Sequence, residues 1–439
     1  MRFSAFVTLT FVCMLAARAN AAEAFKTGET VGPETWQRAE KLLPPEILAH
    51  YKTGEYVNPY VEWPADTFTW PTDFEAGTKA NAGKFKVGPN GEVLEVASGK
   101  QPVFIIGHPF PTIATGDPSA GTQILWNHLY RTWYFGNLRA ESQVNWVKPS
   151  GLERRMDAVV LFSYFDGVPE RERVADNKQN FSTQELNLIV SPADVHGTAA
   201  LTWRYRDPTK RDSSWTFVPA LRRVRAISPA NRSDGFLGSD MSQDDGAFFT
   251  GKPEDFTWKL VGETEQLRIS DPINLQGKSG NEWLKTGGWR AEWPDIPFIG
   301  YMDPDWKGIG WAPASASLSQ RSFYVVEGVP KDRYYLFGKL QLYIDKITFQ
   351  GAWNRKFDWK GELMNSFQVM AWNPQSLKRP DGGIDFVQGS NMAFQTVEAV
   401  KMRRATVAGI KSSPKSGFDG RITFKESDFA LDRLSQAGK

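Results

Sequence analysis

The chain has 439 residues, with 52 Lys and Arg against 50 Asp and Glu and a formal net charge of +2. That balance argues against an electrostatic grip on nucleic acid, which needs a basic surplus on one face. The length suits one large or two ordinary domains. An aromatic content of 13%, with 17 Trp, points either to a very aromatic core or to a surface for a flat or oily ligand.

The N-terminus reads Met1-Arg2, then an apolar run from Phe3 to Ala17, then Ala19-Asn20-Ala21. A basic start, a short apolar stretch and an A-x-A site are the order that export requires. The run is shorter than the roughly 20 residues of a membrane span. A removable signal peptide over residues 1–21, cut after Ala21 or Ala22, and a periplasmic mature protein are therefore expected. Cys13 is the only cysteine and would leave with that peptide. Its neighbours Phe11-Val12 and Met14-Leu15 lack the small-residue setting of a lipoprotein anchor, so the mature chain is expected to be soluble and free of disulfides and lipid.

Residues 22–115 read as an extended N-terminal cover rich in Pro, Gly and Trp. Pro33 to Leu43 suits a short helix stopped by Pro44-Pro45. Asn58-Pro59, Trp63-Pro64, Trp70-Pro71 and His108-Pro109 push the chain towards extended geometry. The segment should lie over the core, pinned by Trp63, Phe68 and Trp70, with its Pro- and Gly-rich part, 100–120, as a movable lid. The strongest helix follows. Asp117 is a fair N-cap, Pro118 suits the first turn, and Ile124, Leu125, His128, Leu129 and Thr132 repeat at helical spacing. It should end near Gly136-Asn137.

After that the period changes to two. Leu186, Leu188 and Val190 form one alternating set; Leu201, Trp203 and Tyr205 form the next; Leu340, Leu342 and Ile344, then Phe367, Val369 and Ala371, follow. Turn signals such as Asp166-Gly167, Asp207-Pro208 and Asn373-Pro374 separate them, and about ten strands are expected between residues 140 and 405. With no βαβ rhythm, the expected class is mainly β (α+β): one curved antiparallel sheet with helices over one face. The last segment, 411–439, reads as a polar tail with one further short strand.

His50, His108, His128 and His196 each stand alone in their segments, without an H-E-x-x-H pair, so no metal and no cofactor are expected. No G-x-S-x-G elbow or phosphate-binding glycine motif occurs. The run Asp240-Met-Ser-Gln-Asp-Asp-Gly has part of a calcium-loop pattern, but its glycine is one position late and the closing Glu is missing. The carboxylate pairs Asp244-Asp245, Glu254-Asp255 and Asp303 with Asp305 permit a glycan hydrolase, although solvated turns carry the same pattern. The densest stretch is 201–249. There Trp203, Tyr205, Trp215 and Phe217 can form an aromatic wall, with Arg222, Arg223 and Arg225 at its rim and Arg222 able to answer Asp240 or Asp244. An aromatic core with surface arginines would use the same residues.

This stretch, WTFVPALRRVRAIS…GFLGSDMSQDD, resembles the LolA/LolB outer-membrane lipoprotein-sorting superfamily. More closely, it is similar to a secreted proteobacterial family known as domain of unknown function 1329. Asn127-His-Leu-Tyr-Arg131 resembles that family's Asn-His-x-x-Arg helix. Tyr343-Ile344-Asp345 with Phe357-Asp-Trp-Lys-Gly-Glu-Leu363 resembles its hairpin, and residues 394–406, ending Arg404-Ala405-Thr406, its closing strand. The resemblance covers most of residues 30–410, with few family residues before 115. It implies an incomplete, strongly bent antiparallel barrel over 116–410 with helices across its concave side. It also implies a non-enzymatic periplasmic binder or carrier of a lipid or other hydrophobic molecule. Its implied partners are an inner-membrane resistance-nodulation-division-type transporter and an outer-membrane protein. Strand alternation nominates Trp203, Tyr205, Trp215, Phe217, Leu342 and Ile344 as the ligand-binding residues. Burying an acyl chain of about twelve methylenes at ~0.8 kcal/mol each would supply enough free energy for binding without a catalytic group. Two further readings remain: a periplasmic hydrolase of glycans or lipids, with two carboxylates across a cleft, and a non-catalytic envelope adaptor docking through a sheet edge or the Trp-rich arm.

Overall fold

The computed structural model describes residues 23–63, 70–270, 281–285, 287–292, 298–372, 376–378, 384–386, 391–410 and 416–436. The expected signal peptide, Cys13 and Phe68 lie outside them.

The N-terminal segment opens with the two-stranded ribbon β1 (Thr30–Val31) and β2 (Asn58–Pro59). Between them the helix expected over 33–43 is absent. A single 3-10 turn, Trp36–Ala39, stands there, and α1 runs from Pro45 to Thr53. The proline pair starts a helix instead of stopping one. Pro44 is extended, at φ −54° and ψ 141°, and Pro45 takes the first helical position, where a missing N–H costs nothing. α2 (Thr72–Ala80) and the hairpin β3 (Phe85–Val87) with β4 (Val93–Glu95) follow. α3 (Ala120–Trp133) is the strong helix of the sequence, and every residue in it except Thr132 is buried. A helix covered all round belongs inside the molecule. The N-cap is Ser119 and not Asp117; Asp117 instead accepts the Ser119 N–H at 2.7 Å in the turn before it, and Gly136, at φ +79°, supplies the left-handed turn after the helix.

The long strands come next: β5 (Leu138–Lys148), β6 (Gly151–Tyr164), β7 (Phe181–Ser191), β8 (Ala199–Tyr205), β9 (Ser213–Val218), β10 (Arg223–Ile227) and β11 (Phe256–Ser270). After the short β12 (Asn281–Trp283) and β13 (Trp289–Glu292) come β14 (Ser317–Pro330), β15 (Lys339–Asp345), β16 (Gly351–Phe357) and β17 (Leu363–Trp372). β18 (Ser376–Lys378), β19 (Ile384–Phe386), β20 (Asn391–Ala399), β21 (Arg404–Ile410) and β22 (Gly417–Gly420) complete the set. Antiparallel ladders join them in the order β10-β9-β8-β7-β6-β5-β21-β20-β17-β16-β15-β14-β11. β22 shares the far end of β5 with β21 and carries β13 and β12 outward. The outermost strands β10 and β11 share no ladder among the described residues. Among the described residues the sheet turns back on itself through single bridges, Ser270 to Ala371 and Glu282 to Lys378, so it is a mainly β, strongly curved, incomplete barrel.

The two faces are covered differently. In the half made by β11, β14–β17 and β20, the inner face is filled. Ile124 and Leu125 of α3 meet Trp258, Val326, Leu342, Ile344, Phe367 and Val397, with Phe248 and Phe249 packed between. The outer face of that half carries Leu267, Leu318, Phe323 and Trp353 beneath the N-terminal segment's Ile47, Tyr51 and Tyr60. On the other half, α4 (Leu431–Gln436) and the turn before it press Phe429 and Leu434 onto the outer face, against Leu186, Leu201 and Phe217. The segment expected as a polar tail with one short strand supplies a strand, β22, and beyond that expectation an outer clasp.

Candidate ligand cavity

Under the half of the sheet that α3 does not fill lies a cavity of about 520 Å³. Its floor is written in the period of the strands. Leu138, Ala140, Ser142 and Val144 of β5 face it, as do Met156, Ala158, Val160 and Phe162 of β6, Glu185, Asn187 and Ile189 of β7, Ala200 and Thr202 of β8, and Ser214 and Thr216 of β9. The register aligns them in rows. One row runs Leu138, Phe162, Glu185, Thr202, Ser214 and the next Ala140, Val160, Asn187, Ala200, Thr216. Small side chains along these rows, Ala140, Ala200, Thr202, Ser214 and Thr216, leave the room that large ones would fill.

The cover comes from the end of α3, with Arg131, Thr132 and Phe135, and from the irregular segment 231–250, with Phe236, Leu237, Met241 and Gln243. That segment is tethered by charge. Asp240 accepts from Arg404 Nε at 3.0 Å and takes Thr406 Oγ1–H at 3.2 Å. Asp244 sits 2.6 Å from Arg232 Nη2 and receives the Tyr335 hydroxyl at 2.9 Å, and Asp245 is paired with Lys356. Arg232 and Arg204 share Asp212, at 3.0 and 2.8 Å. Burial alone would raise the Asp212 carboxyl, but the two guanidiniums outweigh it and hold it below the usual carboxylate range. These buried charges are paired on every side, as low-dielectric surroundings demand.

Glu185 differs from them. It faces the cavity, its pKa is raised by burial against the pull of Asn187, Arg232 and Arg204, and its one hydrogen bond among the described residues comes from Asn187 Nδ2, at 2.8 Å to Oε1. Beside it, Gln243 Nε2 donates to Thr202 Oγ1, which lies 3.1 Å from Ser214 Oγ.

Residues 34–434 match the model of a family described as "Protein of unknown function (DUF1329)". The chain belongs to the DUF1329 family. Among curated proteins it is similar to the uncharacterized protein PA3922 of Pseudomonas aeruginosa, with 22% identity over 92% of this chain and 79% of that protein. Among solved structures it is similar to a domain from Vibrio parahaemolyticus described as outer-membrane-lipoprotein-sorting, with 16% identity, a TM-score of 0.46 and coverage of 73% of this chain and 100% of that one. It is also similar to a DUF1329 protein from Desulfovibrio piger, with 16% identity, a TM-score of 0.45 and coverage of 72% and 99%. A LolA superfamily protein from Nitrosomonas europaea gives 14% identity, a TM-score of 0.40 and coverage of 71% and 98%.

The motifs by which the sequence resembles DUF1329 meet in space. Asp240 of the GSDMSQDD run is bound by Arg404 and Thr406 of the closing strand, and Asp245 by Lys356 of the hairpin. Asn127 clamps Phe110, accepting its N–H at 3.1 Å and donating to its carbonyl at 2.8 Å. His128 Nδ1 lies 2.9 Å from the Phe349 carbonyl. Asp345 takes Arg321 Nε at 2.8 Å and the N–H groups of Ile347 and Thr348 at 2.9 Å each. Arg222 is elsewhere, exposed in a left-handed turn at φ +48°, and answers neither Asp240 nor Asp244. The expected lid, 100–120, does not line the cavity. Asn127 holds it at Phe110, and Asp166 holds it at the Ile105 N–H, at 2.8 Å; the cover is 231–250 instead.

The six residues nominated from alternation do not converge. Trp203 and Phe217 lie on the outer face in the cluster beneath α4, and Trp203 Nε1 donates to the Phe429 carbonyl at 3.0 Å. Trp215 borders the cavity, yet its ring packs edge-on against Trp203 with centroids 4.7 Å apart. Tyr205 lines a separate, much smaller hollow of about 30 Å³, with Lys210 Nζ 3.3 Å from its ring centroid. Leu342 and Ile344 are fully buried in the filled half. They share the inner face but lie in its filled half, whereas on β8 and β9 the cavity-facing set is the opposite parity of the nominated one. Its signal was small and polar residues at alternate positions, such as Ala200-Thr202 and Ser214-Thr216, which alternation alone assigns to solvent.

The other candidates are accounted for locally. His108 and His128 are buried and pushed down to about 3 and about 4 by loss of solvent and by Arg131. His196 is exposed. Asp303 turns back to accept the Asp305 N–H at 2.9 Å. Glu254 is pushed up to about 7 by burial and lines the small hollow. Among the described residues, no three His, Cys, Asp or Glu side chains stand close enough to hold a metal ion.

Proposed function

We propose that this protein is a non-enzymatic binding or carrier protein for a lipid or other hydrophobic molecule in the periplasm, and that the 520 Å³ cavity is where the molecule sits. The observation that carries the reading is the contrast between the two halves of one inner face. The same continuous face is packed solid around α3 on one side and left hollow over β5–β9 on the other. Close packing is the default for protein interiors, and the volume falls within the ~300–1,000 Å³ of small-molecule sites. Phe135, Leu138, Val144, Met156, Val160, Phe162, Ile189 and Met241 make its walls largely apolar. The segment 231–250, held by ion pairs rather than by strand ladders, is the part whose opening would admit and release a cargo. Delivery between an inner-membrane transporter of the resistance-nodulation-division type and an outer-membrane protein rests on the sequence resemblance alone.

Native mass spectrometry of the protein purified from a bacterial periplasm, followed by extraction of bound lipid, tests this. A stoichiometric apolar adduct is expected, lost in Ala158→Phe and Ala200→Phe, whose new rings would fill the floor. An adduct unaffected by either change would place the cargo elsewhere and refute the reading.

A further inference from the structure

The cavity floor is not uniform. Across the row Leu138, Phe162, Glu185, Thr202, Ser214 it passes from hydrocarbon on β5 and β6 to carboxylate and hydroxyl on β7–β9. The parallel row, Ala140, Val160, Asn187, Ala200, Thr216, passes the same way. Gln243 of the cover overhangs the polar end through Thr202. We propose that the cargo is an amphiphile whose head group donates hydrogen bonds, a hydroxyl or an amine, seated at Glu185 with its apolar body along β5 and β6. The proposal rests on the carrier reading above and names the class of molecule.

Three observations lead there. Glu185 is half-buried in the cavity wall; its Oε1 takes Asn187 and its Oε2 meets no protein donor among the described residues, so Oε2 can accept from a ligand donor that takes the place of water there. The cations around the polar end are already committed: Arg204 to Asp212, Arg232 to Asp212 and Asp244, and Lys356 to Asp245. Arg131, at the end of α3, is likewise engaged within the protein. Among the described residues an anionic head would thus meet Glu185 without a cation of the polar end to spare, and like charges repel. Finally, Asp234 lies exposed at the cavity border, adding a second negative group on the way in.

The test uses the mature protein, delipidated, with three probes of equal chain length: 1-dodecanol, dodecylamine and sodium dodecanoate. Each is scored by displacement of the uncharged apolar dye N-phenyl-1-naphthylamine. The alcohol and the amine should bind about tenfold or more tighter than the carboxylate, the worth of one well-made buried hydrogen bond. Glu185→Gln should shrink that gap to about threefold or less, with each probe scored against the variant's own dye affinity. Thr202→Val, which removes a hydroxyl of the same row without touching charge, should weaken the alcohol relative to the variant's own dye affinity, and it stands in if Glu185→Gln fails to fold. Dodecanoate binding as tightly as the others, or a ranking indifferent to both variants, overturns the head-group proposal and leaves the carrier reading standing. A protein that takes up neither dye nor probe overturns both.

Discussion

Asp345 accepts from Arg321 and from two backbone N–H groups while lying fully buried, so it anchors the turn between β15 and β16 and neutralises the arginine side chains above it. Asp345→Asn keeps the shape and removes the charge. Uncompensated buried guanidinium is costly, and a loss of about 3 kcal/mol or more in urea unfolding is expected. Trp203 and Phe217 give a prediction of the opposite kind. Both belong to the outer clasp under α4, so Phe217→Ala should cost about 3 kcal/mol of stability and leave uptake of an apolar dye unchanged in the folded protein. Loss of uptake with an intact melting curve would contradict the placement of Phe217 outside the cavity. Sequence alone could nominate this aromatic set but not its side of the sheet. Alternation gives two faces, and large apolar residues mark the one that is covered, whether a ligand or another segment covers it. Here the segment is Phe429 and Leu434, more than two hundred residues away in the chain and invisible to local pattern.

α1 is held on the sheet by its apolar face, by Glu46 bound to Arg355 and Ser366, and by a histidine. His50 Nδ1 lies 2.7 Å from Glu55 Oε2 and Nε2 lies 2.8 Å from Glu398 Oε2. Burial opposes the imidazolium, but the bonds to Glu398 and Glu55 outweigh it, and the His50 pKa is raised above its ordinary 6.5. A raised folded-state value means that the latch stabilises fully below pH 6.5 and is lost as pH rises through the folded pKa. Glu55, whose own value is lowered by Arg403 and His50 against burial, weakens the latch again in acid. The melting temperature of the wild type minus that of His50→Gln should therefore be greatest in mildly acidic buffer and shrink towards alkaline pH; a flat difference would show that the imidazole is neutral in this latch. Asn127 does the same service for the expected lid. Asn127→Ala removes both bonds to Phe110 and should cost about 2 kcal/mol, with protection from hydrogen exchange lost first in residues 104–112. The helix that carries Asn127 was plain in the sequence, because fourteen residues at helical spacing with a cap and a glycine stop allow few alternatives. The Pro44-Pro45 pair misled, since proline stops one helix and starts another by the same missing N–H.

The whole molecule is an unclosed barrel with one half of its interior packed and the other hollow. A hollow of this size leaves stability unrealised, because its lining lacks contacts on one side. A bound cargo should stabilise the folded protein by about 2.7 kcal/mol at a concentration a hundredfold above its dissociation constant, and so raise the melting temperature. Ala200→Phe should raise the melting temperature of the delipidated protein, by filling space without unmaking a contact, and abolish the cargo-induced rise. A cargo-induced rise that survives Ala200→Phe would argue against binding in this cavity.

The sequence by itself determined the local grammar: the change from helical to two-residue period after residue 136, the antiparallel class, the central helix, and the family motifs. All of these depend on neighbours a few residues apart. The tertiary structure decided which parity of each strand faces inward, which half of the interior α3 fills, and that 231–250 rather than 100–120 covers the cavity. It also decided that Asp240 answers Arg404 and not Arg222. Each of these turns on which distant segment arrives to cover a face. A repeating pattern can say that a face must be covered, but only the folded chain selects what covers it.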